Sequence, residues 1–432
     1  MKAPSVFIIA LVVFGIGSVR AQSVASDPMG RPRTVAGSKG ASTSESPFQS
    51  PSSQAQTPSR SGEGLPKPAE KPASKQGSDE SRSSSASLRD ESGVSPRRLS
   101  PVRIKQRINE AERLMKSRPV PTALVSPPTD YVTVAALLPE TSQIHLIGLP
   151  KQTFLTKGAE VSLTTSLGLP IQLRVLRANG VNTALTIFDN QNRSLAPLTV
   201  EFPIERFGRF REMAYYTSAH PALLSSDLTK AGQTYVNSMV DLAARRLRDR
   251  GVPIAQNIID VAKRLCIVEH VDHDRFRNEN RIALFEEIYS LYALNELDTY
   301  RYSVSSAGAG GMVQMIPWTY QLMRQHHPGV GLNPDFVLGM RNHGNALEAM
   351  LLYMQDTWND LVSNEDVQSA LSAKQATPAE LMAAGYNSNA AKLPGYIRRG
   401  GAGWRALIPR ETQIYLQIYQ TFDSLMPLKK RE

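Results

Sequence analysis

A glutamate followed by a glycine-rich turn is the first feature of this sequence that could do chemistry. Glu296 ends a helix-like segment, and residues 308–319 follow with the sequence GAGGMVQMIPWT. Gly308 and Gly311 let the backbone turn tightly or approach a ligand closely. Gln314 offers a hydrogen-bond donor and an acceptor among apolar neighbours. A carboxylic acid near such a turn could protonate a leaving oxygen, as cleavage of a glycosidic bond requires.

Glu296 can act as an acid near neutral pH only if its surroundings favour the neutral form. Ile288, Tyr292 and Glu296 are spaced four residues apart, so a helix would place the glutamate beside apolar and aromatic neighbours. Such surroundings raise the pKa of a carboxyl group. The alternative is a solvated surface residue, which is the commoner state of a lone helix-terminal glutamate.

Three blocks in the C-terminal half, in the same order, resemble the catalytic domain of the soluble lytic murein transglycosylases. The first block keeps the family's spacing from the glutamate through a serine and the glycine-rich turn to a threonine. The second resembles the family's Ala-Tyr-Asn motif, and the third its Glu-Thr-x-x-Tyr motif. The matching residues are Glu296, Ser305, Ala307-Gly308-Ala309, Gly311, Gln314, Pro317 and Thr319, then Tyr386-Asn387, then Glu411-Thr412 and Tyr415.

The resemblance implies a mainly α, lysozyme-like domain that cleaves the β-1,4 bond of peptidoglycan glycan strands. Glu296 would be the acid and then the base, while the 6-hydroxyl of the sugar attacks C1 and leaves a 1,6-anhydro-muramyl end. This route needs one carboxylate, unlike the two of most glycosidases. No metal or organic cofactor is implied. The implied substrate-binding residues are Ser305, Gln314, Tyr386 and Asn387, and the implied supports of the site are Gly308, Gly311, Glu411 and Tyr415.

Several positions depart from the family's pattern. Leu297 replaces the serine that usually follows the glutamate, and Gly385 replaces the alanine that usually precedes the tyrosine. The departures leave two alternatives open. One is a hydrolase of the same fold, and the other is a non-catalytic scaffold that grips glycan within an envelope assembly.

A metal site is a competing hypothesis for a cluster of potential ligands upstream. Cys266, His270 and His273 occur together with Asp272 and Asp274. The Cys-x3-His-x2-His spacing lacks a clear fourth ligand and differs from standard zinc sites. We therefore predict no metal there, and expect a helix end with polar surface residues.

The 432-residue chain has a formal net charge of +10 and a sequence pI of about 9.6. Such a balance suits an anionic partner such as a cell-wall polymer, although it is also an ordinary solution to solubility. The sequence has neither zinc-finger spacing nor an aromatic-rich RNA-binding pattern, so nucleic acid is not an expected partner. Its single cysteine, Cys266, excludes an intramolecular disulfide.

The N-terminus predicts export to the periplasm or cell envelope. Residues 1–21 resemble a secretory signal peptide, whose apolar run at 6–17 is too short to span a bilayer. After cleavage no transmembrane span is expected, and an uncleaved anchor is the alternative. Residues 22–100 are rich in Ser, Pro and charged residues, which predicts a disordered linker.

The remaining chain predicts an α+β multidomain protein. Residues 101–127 should form a short helix and a connector. Within 128–205, six short β-branched runs predict strands that form a small antiparallel β-sandwich or barrel. The runs are at 131–138, 144–149, 161–166, 171–177, 184–189 and 198–202. This domain serves either to dock an envelope protein or as a spacer. Helical periodicity predicts a mainly α region at 210–427, and the resemblance implies that this region is the lysozyme-like domain.

Overall fold

The computed structural model describes residues 99–118, 129–206 and 208–428. The predicted signal peptide and nearly all of the predicted linker lie outside the described residues. The described part is mixed α/β, with a curled antiparallel half-barrel sheet and many helices. The sheet and the helices belong to one compact unit and share one hydrophobic core.

Seven strands form a single antiparallel sheet in the order β2-β1-β6-β5-β4-β3, and β7 also pairs with β6. All six predicted strand segments form strands. The seventh was not predicted, because charged residues interrupt its apolar alternation, and it carries the sheet beyond residue 205. The strands are β1 Tyr131–Leu138, β2 Gln143–Pro150, β3 Glu160–Thr164, β4 Pro170–Arg177, β5 Ala184–Asp189, β6 Ser194–Arg206 and β7 Arg209–Tyr216.

Strand β1 is apolar almost throughout because both of its faces are covered. Val132 and Val134 belong to the core shared with most of the helices, whereas Ala135 and Leu137 belong to a second cluster. Successive side chains of a strand point to opposite faces. The predicted small antiparallel sandwich or barrel is confirmed in part: the strands form one curled antiparallel half-barrel sheet with helices packed against it.

Thirteen α-helices are present in the described part of the chain. They are α1 Pro101–Lys116, α2 Lys151–Phe154, α3 Ser226–Asp249, α4 Gln256–Val268, α5 His273–Asn278, α6 Arg281–Asn295, α7 Pro317–His326, α8 Phe336–Arg341, α9 His343–Val362, α10 Glu365–Ser372, α11 Pro378–Asn387, α12 Leu393–Gly400 and α13 Arg410–Leu425. In this part of the chain no helix has the length and apolar character needed to cross a membrane.

Helix α1 confirms the predicted amphipathic helix and covers the second face of the sheet. Ser100 caps it by accepting a hydrogen bond from the backbone of Arg103, and Pro101 occupies the first turn, where a missing N–H costs nothing. Ile104 and Ile108 lie on its buried side, in the cluster that contains Leu137. The helix is therefore part of the folded unit.

Helices α3 and α6 form the centre of the helical part. A Cβ on Gly232 of α3 would lie 1.8 Å from the carbonyl oxygen of Tyr289 on α6. Only glycine permits this approach, which brings the two backbones into direct contact. Helix α6 is buried from Ile288 to Leu294, as expected of a helix that runs into the centre of a domain.

Candidate functional site

A pocket of about 570 Å³ lies where the sheet meets the helices. Its helical side is formed by the end of α4, the start of α5, and residues of α6, α11 and α13. Its other side is formed by the turn before β3 and the loop after β4. A pocket of this size is typical of small-ligand sites.

Glu269 places a buried carboxyl group in this pocket. It follows the last residue of α4, and its residue is only 4% exposed. The hydroxyl of Tyr415 donates a hydrogen bond to its Oε1 over 2.5 Å. Burial raises the pKa of Glu269 to about 8, the nearby charge of Glu411 adds to the rise, and the Tyr415 hydrogen bond opposes it. The group is therefore mostly a neutral carboxylic acid at neutral pH.

The second and third sequence blocks supply the neighbours of Glu269. Asn387 comes from the end of α11, whereas Glu411 and Tyr415 come from the first two turns of α13, and all three line the pocket. The Oδ1 atom of Asn387 is buried and has no hydrogen-bond partner among the described residues. This buried acceptor is available to a ligand hydroxyl or amide.

The glycine-rich loop holds the walls of the pocket together. Nε2–H of His270, next to the buried glutamate, donates to the carbonyl of Met312 over 2.9 Å, and the Tyr386 hydroxyl donates to the carbonyl of Val313 over 2.7 Å. The His270 ring also stacks on Tyr300, with centroids 3.3 Å apart. Burial lowers the pKa of His270 to about 3, so it is neutral. The loop thus ties the end of α4 to α11.

Gln314 and Ser305 stabilise this loop from within. Gln314 is buried and donates from Nε2 to Ser303 Oγ over 3.0 Å and to the Gly311 carbonyl over 2.7 Å. Ser305 Oγ accepts from the backbone N–H of Ala309. Neither side chain lines the pocket. Both side chains bond within the loop, and Gln314 Oε1 is buried with no partner among the described residues. Their contact with substrate stays a prediction.

Gly308 and Gly311 support the loop as the sequence predicts. Both adopt positive φ, of 78° and 69°. At Gly311 a Cβ would lie 2.3 Å from the carbonyl oxygen of Met340, so even a methyl group would displace α8 or the loop. At Gly308 the nearest atoms to a Cβ, from Pro317, would be 3.9 Å away, so the backbone conformation alone favours glycine there.

Glu296 does not lie in this pocket. Its side chain is 53% exposed, forms an ion pair with Lys105 of α1, and lines a separate pocket of about 290 Å³. The expectation of apolar surroundings is wrong because Glu296 is the residue at which α6 ends. Its φ of 46° turns the chain away from the helical stripe, whereas Tyr292 remains in the core.

The sheet forms the opposite wall of the larger pocket through Arg177 and its neighbours. Arg177 pairs with Glu287 of α6, and Arg275 of α5 donates to both carboxylate oxygens of Glu287 over 2.9 Å. Burial alone would raise the pKa of Glu287, but the hydrogen bond from Arg275 and the charge of Arg177 lower it. This ionised network fastens the sheet to the helices at the pocket.

Cys266 and His270, the potential ligands noted in the sequence, are both occupied within the protein. Burial raises the pKa of the Cys266 thiol, which keeps it protonated, and His270 bonds a backbone carbonyl. Across residues 99–118, 129–206 and 208–428, no group of three or more His, Cys, Asp or Glu side chains is arranged to hold a metal ion.

Glu269 was not singled out from the sequence, although a signal was present. It ends the apolar run from Leu265 to Val268, and those neighbours are what a carboxyl group needs to keep its proton. The spacing to the glycine-rich turn predicts Glu296 as the acid instead.

Comparison with known proteins leaves the site to be judged on its own geometry. No protein-family model matches the sequence, and neither a curated protein nor a solved structure matches it.

Proposed function

We propose that this protein is a lytic transglycosylase that cleaves peptidoglycan glycan strands, with Glu269 as its acid and base. The observation that carries the proposal is the position of Glu269. It is buried, mostly protonated at neutral pH, and in one pocket with Asn387, Glu411 and Tyr415. These three residues belong to the two later blocks that resemble the family, and the helical part of the chain is proposed to be its lysozyme-like domain.

The chemistry begins with the proton on Glu269. A neutral carboxylic acid can donate this proton to the glycosidic oxygen as the bond to C1 breaks. The resulting carboxylate can then accept the proton of the attacking hydroxyl. The Tyr415 hydroxyl, which donates to the same carboxyl over 2.5 Å, holds the group in position and stabilises its ionised form.

Asn387 offers a sugar a hydrogen-bond acceptor in the same pocket. Asn387 Oδ1 is an acceptor with no partner among the described residues, and an N-acetyl N–H or a sugar hydroxyl would satisfy it. Attack by the 6-hydroxyl of the same sugar requires no second catalytic carboxylate and gives the 1,6-anhydro end. The enzyme would act in the cell envelope after export, where its substrate lies.

Mass spectrometry of peptidoglycan digested by the purified protein tests the proposal. We expect muropeptides with 1,6-anhydro ends from the wild type and none from Glu269→Gln. Products with only reducing ends would identify a hydrolase. Binding to peptidoglycan without any released product would identify a scaffold, and either result would contradict the proposal.

A further inference from the structure

The sheet side of the pocket carries a lysine that the proposed reaction does not use. Lys157 lies in the turn between α2 and β3, and its side chain is exposed at the pocket wall. Within the described part of the chain it forms no ion pair. The neighbouring cation of this wall, Arg177, is already paired with Glu287 through Nη1, while its buried Nη2 has no hydrogen-bond partner among the described residues. Among those residues, Lys157 is therefore the cation of this side that has no carboxylate partner.

Lys157 is held in a fixed place. The N–H of Gly158 donates to the carbonyl of Val175 over 2.9 Å, and the N–H of Val175 donates to the carbonyl of Ala159 over 2.9 Å. Gly158 has a φ of 79°, which the tight turn requires. These bonds attach the turn to β4, the strand that leads directly to Arg177. The lysine and the loop after β4 thus form one rigid wall.

The two walls of the pocket differ in charge. The helical side presents Asp272, Asp274 and Glu411, and its cation Arg275 is already paired with Glu279 and Glu287. The sheet side presents Lys157 and Arg177. A ligand with a neutral sugar backbone and an anionic branch would be repelled by the helical side. Its branch would be accommodated on the sheet side.

The sheet side also offers groups that suit a peptide. Asn179 and Asn182 line it. An amide side chain such as that of Asn179 can both donate to and accept from peptide bonds, whereas Asn182, whose Oδ1 accepts from Ser218 Oγ, can donate through its amide nitrogen. Their loop is fixed, since the N–H of Asn179 donates to Thr183 Oγ1 and the N–H of Asn182 donates to the carbonyl of Asn179. Lysine in turn forms strong, charge-assisted hydrogen bonds with carboxylates.

We propose that Lys157 and the loop 177–182 form a subsite for the carboxylate-bearing peptide branch of the glycan. The inference rests on the proposed function for the identity of the glycan. It assigns to the sheet a direct part in substrate selection, in place of a role as a spacer or docking module.

Binding measurements on the non-cleaving Glu269→Gln full-length chain test this subsite separately from cleavage. The ligands are soluble glycan strands with intact peptide branches and the same strands stripped of peptides by an amidase. Adding Lys157→Ala should weaken binding of the branched strands about 3- to 10-fold, as expected for loss of one partly exposed charge pair. Binding of the stripped strands should change by less than about twofold.

Two matched variants complete the test. Lys157→Arg should restore most of the preference for branched strands, and Lys230→Ala, on α3 outside the pocket, should change neither affinity. Equal weakening for both ligands, or no weakening for either, would overturn the subsite. Cleavage assays with Glu269 intact report on the proposed function alone, so a chain that selects branched strands but cuts none would refute only that function.

Discussion

Glu269 and Glu296 each follow a helix rich in apolar residues, but they differ in burial and in hydrogen-bond partner. Glu269 follows α4 and is 4% exposed, whereas Glu296 follows α6 with a side chain that is 53% exposed. Glu269 accepts a hydrogen bond from a buried tyrosine, and Glu296 pairs with Lys105 at the surface. Burial and partner, which depend on tertiary structure, separate the two residues.

The glycine-rich loop supports the pocket of Glu269 through its backbone. Through Met312 and Val313 the loop bonds His270 and Tyr386, the residues next to Glu269 and Asn387 in sequence. The loop therefore positions the pocket without lining it. The loop therefore contacts the surroundings of Glu269, although its family spacing in the sequence points to Glu296.

The largest expected effect is the loss of turnover in Glu269→Gln. Glutamine has nearly the same shape and can still accept the Tyr415 hydrogen bond, but it has no proton to transfer. Turnover of peptidoglycan should fall by on the order of 100-fold or more while binding is retained. Steady-state release of soluble muropeptides measures the change. Turnover within about threefold of wild type would remove Glu269 from the proposed mechanism.

The same substitution should change how stability depends on pH. Because the folded pKa of Glu269 is raised to about 8 from its ordinary value of 4.5, the folded state holds a proton that the unfolded state releases between these values. Wild-type stability should fall as pH rises through this window, by an amount on the order of a few kcal/mol, and Glu269→Gln should lack this loss.

Urea unfolding of both proteins at about pH 5 and about pH 9 measures this difference. The stability of the glutamine variant relative to wild type should increase between the two conditions. Parallel pH profiles would show that the carboxyl of Glu269 is not held neutral by the fold.

Tyr415→Phe should lower cleavage less than Glu269→Gln does, and it should move the pH dependence of cleavage to higher pH. The tyrosine hydroxyl favours the ionised form of Glu269, so its removal should raise the pKa of that carboxyl further. The alkaline fall in kcat/KM should move to higher pH, and stability should drop by about 1 kcal/mol through the lost hydrogen bond. A pH profile of cleavage measures the shift. A fall that moves to lower pH would contradict this role of Tyr415.

Lys105→Ala should have the smallest effect. Its ion pair with Glu296 joins side chains that are 36% and 53% exposed, and such pairs contribute at most about 1 kcal/mol. Thermal unfolding should show a small change, and cleavage should stay within about twofold of wild type. A large loss of cleavage would indicate that this surface takes part in the chemistry.

Much of the fold could be predicted from local patterns. Six strands and the principal helices follow from apolar periodicity, because β-branched alternation and helical stripes are properties of short segments. The prediction of an antiparallel sandwich or barrel was only partly correct, since the sequence does not reveal that α1 and the central helices cover the faces of a single half-barrel sheet. Strand β7 was missed because charged residues such as Arg211 and Glu212 mask its alternation.

The candidate site was predicted in part. Asn387, Glu411 and Tyr415 were correctly grouped by motif, and the structure brings them to one pocket. The acid was placed at Glu296, because helical spacing alone cannot show that the helix ends there with a positive φ. The contribution of Lys157 and Arg177 depends on long-range packing of sheet against helices, which no local pattern encodes.

The most direct test of the central claim compares Glu269→Gln and Glu296→Gln on the same peptidoglycan preparation, with anhydro-muropeptides counted by mass spectrometry. We expect Glu269→Gln to release almost no anhydro-muropeptides, whereas Glu296→Gln should release about as much as wild type. Loss of product in Glu296→Gln with retention in Glu269→Gln would contradict it.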